Sequence, residues 1–139
     1  MEQAAKGNGC LAEKLAVLEK LTANTETQSR FVQRREMKGL ARILREREAL
    51  LTKLLAINSE LALDQSWRNN RELMPVQQEI AVKQARLLER SKQVIVQAMA
   101  ERVRIATELN SSKMTQHLQR QYANPWLSIS QGSRLNARG

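Results

Sequence analysis

The sequence predicts an all-α protein: an antiparallel, coiled-coil-like three-helix bundle with a long third helix and a flexible C-terminal tail. Three observations support this fold class. Leu, Ala, Gln, Glu, Arg and Lys dominate the 139 residues, and they are the residues that favour helices. Glycine and proline are scarce, at 5 and 2 residues. Apolar residues recur at helical spacing through three separate segments.

The first helix is expected over about residues 10–33, where Leu11, Leu15 and Leu18 lie at helical spacing. The same stripe becomes polar at Thr22 and Thr25. Threonine buries little apolar surface and can bond to the backbone instead. We therefore expect this part of the helix to be the least well packed of the bundle, with a bend or fraying.

The second helix, expected over 36–63, has the clearest pattern. One heptad column steps by alternating threes and fours through Met37, Leu40, Leu44, Arg47, Leu51, Leu54, Asn58 and Leu61. A second column, formed by Ile43, Leu50 and Ile57, adjoins it. Two columns make a wide apolar face, which favours packing against at least two other helices. Arg47 is expected to set the register of the packed helices or to extend its charged end to solvent. The alternative is that it lines a water-filled groove.

Pro75 follows a polar segment and suits the first turn of a third helix, expected over 76–122. Residues 1–122 are thus expected to form a single helical domain. Asn124, Pro125 and Gly132 predict that residues 123–139 form a mobile tail, while Trp126 supplies an apolar anchor there. Such a tail either folds on a partner or is simply disordered, and both alternatives stay open.

Little in the sequence points to catalysis, so no enzyme activity is expected. The chain has no glycine-rich phosphate loop and no metal-ligand spacing, and we expect neither a metal nor another cofactor. Cys10 is the single cysteine and His117 the single histidine. No segment is apolar enough to span a bilayer and no signal-peptide pattern opens the chain, so we expect a cytoplasmic protein that does not insert into membranes.

The chain is basic, with a formal net charge of +9. Eight Lys and Arg residues and three Glu residues lie between positions 30 and 53. Nucleic acid is the first partner that such charge suggests. However, Phe31 is the only aromatic residue nearby that could stack on bases, and no nucleic-acid-binding motif is present. We therefore expect no specific nucleic-acid binding, and the charges can instead solvate the helices or attract an acidic protein.

The pattern resembles the FlgN-type flagellar export chaperones, which are small helical proteins. Phe31 and the break at Arg34–Glu36 are similar to the end of the family's first helix. The second-helix signature is matched by Leu40, Leu44, Arg47, Leu50, Leu51 and Leu54. The segment 93–109 is similar to the middle of the family's third helix, and Tyr122 lies where the family has its terminal tyrosine.

The resemblance implies a cytoplasmic chaperone that binds the C-terminal amphipathic helices of hook–filament junction proteins. It would keep them unpolymerised and deliver them to the type III export gate. The implied client-binding residues are Leu88, Ile95, Met99, Val103 and Leu109, for which ordinary core packing is the alternative. Tyr122 and Trp126 would dock on the export gate. The oligomeric state is left open.

The basic charge departs from many FlgN-type proteins, which are acidic or nearly neutral. It fits a second class better, the FliJ-like coiled-coil component of the export ATPase, which is essentially two long antiparallel helices. A rod of two helices would therefore indicate the adaptor, and a shorter three-helix body the chaperone.

Overall fold

The computed structural model describes the backbone of residues 2–131 and the side chains of residues 6–121. Three α-helices account for most of the described chain: α1 (Glu2–Arg34), α2 (Met37–Leu63) and α3 (Met74–Gln131). No strand occurs among the described residues. The predicted all-α three-helix bundle with a long third helix is thus confirmed.

The helix ends differ in two places from those expected. Helix α1 begins at Glu2 rather than near residue 10, so Gly7 and Gly9 are helical. Helix α3 continues past Tyr122 and Pro125 to Gln131. Proline within a helix removes one hydrogen bond and crowds the preceding turn, yet α3 continues through Pro125. The rest of the predicted tail, residues 132–139, lies outside the described residues.

A tight turn reverses the chain between α1 and α2, at the break that the sequence predicts. Arg35 has φ 57°, a left-handed conformation that usually favours glycine. The amide of Arg35 donates to the carbonyl of Val32 at 3.1 Å, and that of Glu36 donates to Phe31 at 3.0 Å. These bonds satisfy two of the carbonyls that are left free where the helix ends.

The connection between α2 and α3 consists of two short 3-10 turns, Ser66–Asn69 and Arg71–Leu73. Trp67 anchors this connection to α2, because its indole Nε1 donates to the carbonyl of Leu61 at 2.9 Å. The carbonyl of Trp67 accepts a bond from Gln77 of α3 at 2.8 Å. Pro75 lies in the first turn of α3, where its missing N–H costs no helical hydrogen bond.

Contacts divide the chain into two units, residues 1–99 and residues 100–139. In the first unit, α1 and α2 run antiparallel, since Asn24 bonds to Ile43 while Cys10 bonds to Glu60. Helices α1 and α3 run in the same direction. The pairs that show this are Glu19–Lys83 and Glu26–Arg90.

The core of the first unit is an apolar cluster drawn from all three helices. Helix α1 contributes the most completely buried members, Leu18 and Leu21. The full cluster is Cys10, Leu11, Val17, Leu18, Leu21, Ile57, Leu61, Leu73, Ile80 and Leu87. Burial of this apolar surface is the main force that holds the three helices together.

Two glycines near the start of α1 provide a matched stability test. Gly9→Ala is expected to raise the free energy of unfolding by up to about 1 kcal/mol, because alanine favours helix and an added Cβ meets nothing within 4 Å. Gly7→Ala is expected to gain less or to destabilise, since its Cβ would lie 3.0 Å from the Cβ of Trp67. Urea unfolding of both variants measures the difference. An equal gain in both would contradict the close packing of Trp67 on α1.

Candidate helix-binding site

Helix α3 exposes apolar side chains for which the sequence allowed two interpretations, a client-binding site and ordinary core packing. In the first unit, Leu88, Ile95 and Met99 are 60%, 59% and 63% exposed. They are spaced by seven and four residues, so they lie on one side of the helix. The buried residues of α3, such as Leu87 and Val94, lie on another side. Core packing is therefore excluded for these three side chains.

The second unit carries the other two predicted client-binding residues. Val103 and Leu109 are both exposed there, as are Met114 and Leu118. Among the described side chains beyond Glu101, only Ile105 is even partly buried. Core packing is excluded for Val103 and Leu109 as well.

The predicted gate-docking residues cannot be placed in the same way. Tyr122 and Trp126 lie in the helical backbone of α3. Their side chains lie outside the described residues. Docking of these two residues on an export gate stays a prediction.

Helix α2 also exposes three apolar residues of its main heptad column. Met37, Leu44 and Leu51 are exposed, although they belong to the column expected to pack. The buried residues of α2 come from both columns: Ile43 and Ile57 belong to the neighbouring column and Leu61 to the heptad column itself. The seven-residue spacing of Leu44 and Leu51 indicates an apolar stripe along α2. A buried stripe and an exposed stripe have the same spacing, so the sequence did not show which of the two it was.

Arg47 links all three helices. From α2, it donates to Thr25 Oγ1 of α1 at 2.8 Å and to Ser91 Oγ of α3 at 2.9 Å. Burial lowers the pKa of Arg47 from its ordinary value, because removal from water disfavours the charged form. The guanidinium stays charged at neutral pH even so. This arrangement fits the expected role of Arg47 in setting the register.

The predicted weak point of α1 is well bonded. The helix is continuous through residues 22–29, and Asn24 and Thr25 are buried rather than frayed. Asn24 Nδ2 donates to the carbonyl of Ile43 at 2.9 Å, and Thr25 Oγ1 donates to the carbonyl of Leu21 at 2.8 Å. The expected fraying is therefore wrong: Asn24 bonds across to α2, and Thr25 bonds back to the preceding turn without interrupting the helix.

Two ion pairs join α1 to α3 at the surface of the first unit. Lys83 Nζ lies 2.8 Å from Glu19 Oε1, and Arg90 Nε lies 2.6 Å from Glu26 Oε1. The bond from Arg90 lowers the pKa of Glu26 and raises that of Arg90. Both pairs are largely exposed, so water and salt screen them and they contribute little stability. The second pair lies seven residues after the first on both helices, so the two pairs align α3 along α1.

The described residues contain no group of three or more His, Cys, Asp or Glu side chains that could hold a metal ion. None of the described helices is long and apolar enough to cross a bilayer. His117, which carried no expected role, is exposed and lies 3.1 Å from the amide of Gln121.

Cys10 borders a cavity of about 350 Å³ at the end of α2, lined also by Lys6, Glu60 and Asp64. Its thiol is buried and donates to Glu60 Oε2 at 3.3 Å. Burial first, and then the Glu60 carboxylate, raise the pKa of Cys10 above its ordinary value. The thiolate, which is the reactive form, is therefore disfavoured at neutral pH.

We expect iodoacetamide to alkylate Cys10 at pH 8 at least about tenfold more slowly than a free cysteine, because little thiolate forms. Unfolding in urea should restore the ordinary rate. Glu60→Gln is expected to raise the rate only partly, since burial is the larger cause of the shift. Glu46→Gln, at an exposed residue two heptads before Glu60 along α2, is the control. Fast alkylation of the folded wild-type protein would contradict this description.

The chain matches no protein-family model, no curated protein and no solved structure.

Proposed function

We propose that the protein is a cytoplasmic export chaperone that binds amphipathic helices of other proteins. In the form implied by its resemblance to the FlgN type, its clients are the C-terminal helices of hook–filament junction proteins. It keeps these helices unpolymerised and delivers them to the type III export gate. The function requires binding and release, with no catalytic turnover.

The observation that carries this proposal is the exposed apolar side of α3 in the first unit. Leu88, Ile95 and Met99 extend from a helix that packs in the bundle through another side, which includes Leu87 and Val94. Contiguous apolar surface of this kind commonly marks a protein-binding site, and an amphipathic helix is its usual ligand. Met99 adds a flexible side chain that adapts to different partners.

A FliJ-like coiled-coil adaptor is the alternative, and the net charge of +9 favours it. Against it, helix α2 packs as a separate element between two reversals of the chain, and the first unit contains three helices rather than two. That arrangement is the one we expect of the chaperone. Both alternatives are protein-binding functions, and they differ in the partner.

Ile95→Glu is expected to weaken binding of a client helix by at least about a hundredfold, because it places a charge in the centre of the proposed apolar contact. The measurement is fluorescence anisotropy with a labelled C-terminal helix of a hook–filament junction protein. The same variant should fail to suppress polymerisation of the intact junction protein, followed by light scattering.

Val82→Glu is the matched control. It makes the same type of change at another exposed residue of α3, and Val82 lies on a different side of the helix from Ile95. Helical content measured by circular dichroism should be unchanged in both variants. Equal binding by wild type and a folded Ile95→Glu variant would remove this surface from the site. No binding by the wild-type protein would refute the proposed clients.

A further inference from the structure

Two adjacent helices form a groove on each side of their line of contact, and α1 occupies one of the two grooves between α2 and α3. Asn24 of α1 bonds to the backbone of α2, and Ser29 of α1 bonds to Gln97 of α3 at 2.7 Å. The core residues of α2 and α3 face this occupied side. We call the other side the second groove, and we place there the exposed apolar residues of the same two helices.

One hydrogen bond locates the second groove. Arg47 of α2 donates to Ser91 of α3 at 2.9 Å. On α2, Leu44 and Leu51 lie three residues before and four residues after Arg47. On α3, Leu88 and Ile95 have the same spacing from Ser91.

Residues three and four positions apart share a helix face. All four of these apolar side chains are exposed. They therefore flank one bridge from both helices. Arg47 also donates to Thr25 of α1, so the bridge lies where the three helices meet, and the exposure of the four side chains shows that α1 does not cover them.

The two rims of this groove carry opposite charges at the same level. Glu48 follows Arg47 on α2, and Lys92 follows Ser91 on α3. Both side chains are exposed, and neither takes part in an ion pair among the described residues. Each lies on the same face as the apolar residues beside it, because the separations are again three and four residues.

We propose that the second groove binds one amphipathic helix of a partner protein in a single direction, with a carboxylate of that helix against Lys92 and a cation against Glu48. This inference rests on the proposed helix-binding function and adds to it the polarity of the client. Charges that flank an apolar face set orientation in paired helices in the same way. Reversing the helix would place like charges together on both rims.

A second copy of the chain is a poor occupant by comparison. Each copy has a net charge of +9, so that two copies repel each other over a long range. A partner helix with both acidic and basic flanks meets no such repulsion.

Directional cross-linking tests the proposal. The probe is a synthetic amphipathic helix of about 20 residues, ~30 Å long, with leucines on one face, glutamates along one flank and lysines along the other. It carries one cysteine, at its N-terminus or at its C-terminus. The protein carries Ala62→Cys, at an exposed residue two heptads beyond Glu48 at the end of α2, in a Cys10→Ser background. Disulfide formation then reports which end of the peptide lies near residue 62.

We expect one end of the peptide to cross-link on the order of fivefold faster than the other, the size expected for two exposed ion pairs. The double variant Glu48→Lys with Lys92→Glu keeps the net charge and should reverse the preference. High salt should reduce the preference in both proteins.

Equal cross-linking of the two ends, or a preference that the charge exchange does not reverse, would overturn the directional inference while leaving helix binding intact. If neither peptide cross-links while the junction-protein helix still binds, the second groove is not the receptor, although the proposed function stands. Sedimentation showing a dimer that the peptide cannot dissociate would assign the groove to a second copy and overturn the inference.

Discussion

Replacing Leu21 by alanine is expected to lower the free energy of unfolding by about 3 kcal/mol. Leu21 is 0% exposed and lies in the cluster that joins the three helices of the first unit. Truncation removes the methine and two methyl carbons beyond Cβ from this cluster and leaves a cavity, because well-packed neighbours relax only partly. Since small proteins are stable by about 5–15 kcal/mol in total, the loss is a large part of the whole.

Urea unfolding followed by circular dichroism measures this change. Leu55→Ala is the control, since Leu55 is 68% exposed in the middle of α2 and its truncation should change stability by less than about 0.5 kcal/mol. Similar losses in the two variants would mean that the core does not centre on Leu21. The slope of the urea dependence should stay unchanged if both variants unfold from the same compact state.

Asn24→Asp is expected to destabilise the protein by about 3 kcal/mol at pH 7, because it leaves a buried charge without a compensating partner. Asn24 is 3% exposed, and its Nδ2 donates to the carbonyl of Ile43. A carboxylate at this position would face the carbonyl oxygen with no proton to donate. Gln28 Nε2, which donates to Asn24 Oδ1 at 3.0 Å, could satisfy only one of its oxygens.

The loss in Asn24→Asp should depend on pH in a defined direction. Burial and the facing carbonyl raise the pKa of the new carboxyl in the folded state above its unfolded value. The protonated variant can donate to Ile43, so that the destabilisation is smallest below the unfolded pKa and grows as pH rises through the folded pKa. Asn110→Asp, at an exposed residue of α3, should show neither effect. A pH-independent loss at residue 24 would show that the side chain does not make this bond.

The spacing of apolar residues was enough to predict the three helices and the two reversals of the chain. It could not decide which residues of the two columns of α2 are buried. Leu44 and Ile43 each repeat after seven residues, and a heptad repeat is the same whichever neighbour it faces. The position of α1, which bonds to Ile43 through Asn24, decides the matter. This is a tertiary contact that no local pattern contains.

The polar residues within the apolar stripe of α1 were the other source of error. Thr25 and Arg47 look unfavourable when each is considered in its own helix. In the structure they bond to each other, and Arg47 continues to Ser91. Partners separated by 22 and 44 positions in the chain cannot be paired from one sequence by spacing alone. The client-binding residues of α3 were chosen by resemblance and spacing, and their exposure could be learned only from the structure.

The unequal packing of the three helices has a consequence for the nascent chain. The backbones of α1 and α2 approach each other closely, whereas the backbone of α3 lies farther away and reaches the core through side chains such as Ile80 and Leu87. Contacts between segments that are near in sequence form first. The hairpin of α1 and α2 can therefore assemble while α3 is still leaving the ribosome. Until α3 packs on it, the apolar edge of this hairpin needs the kind of protection that we propose the folded protein gives to its clients.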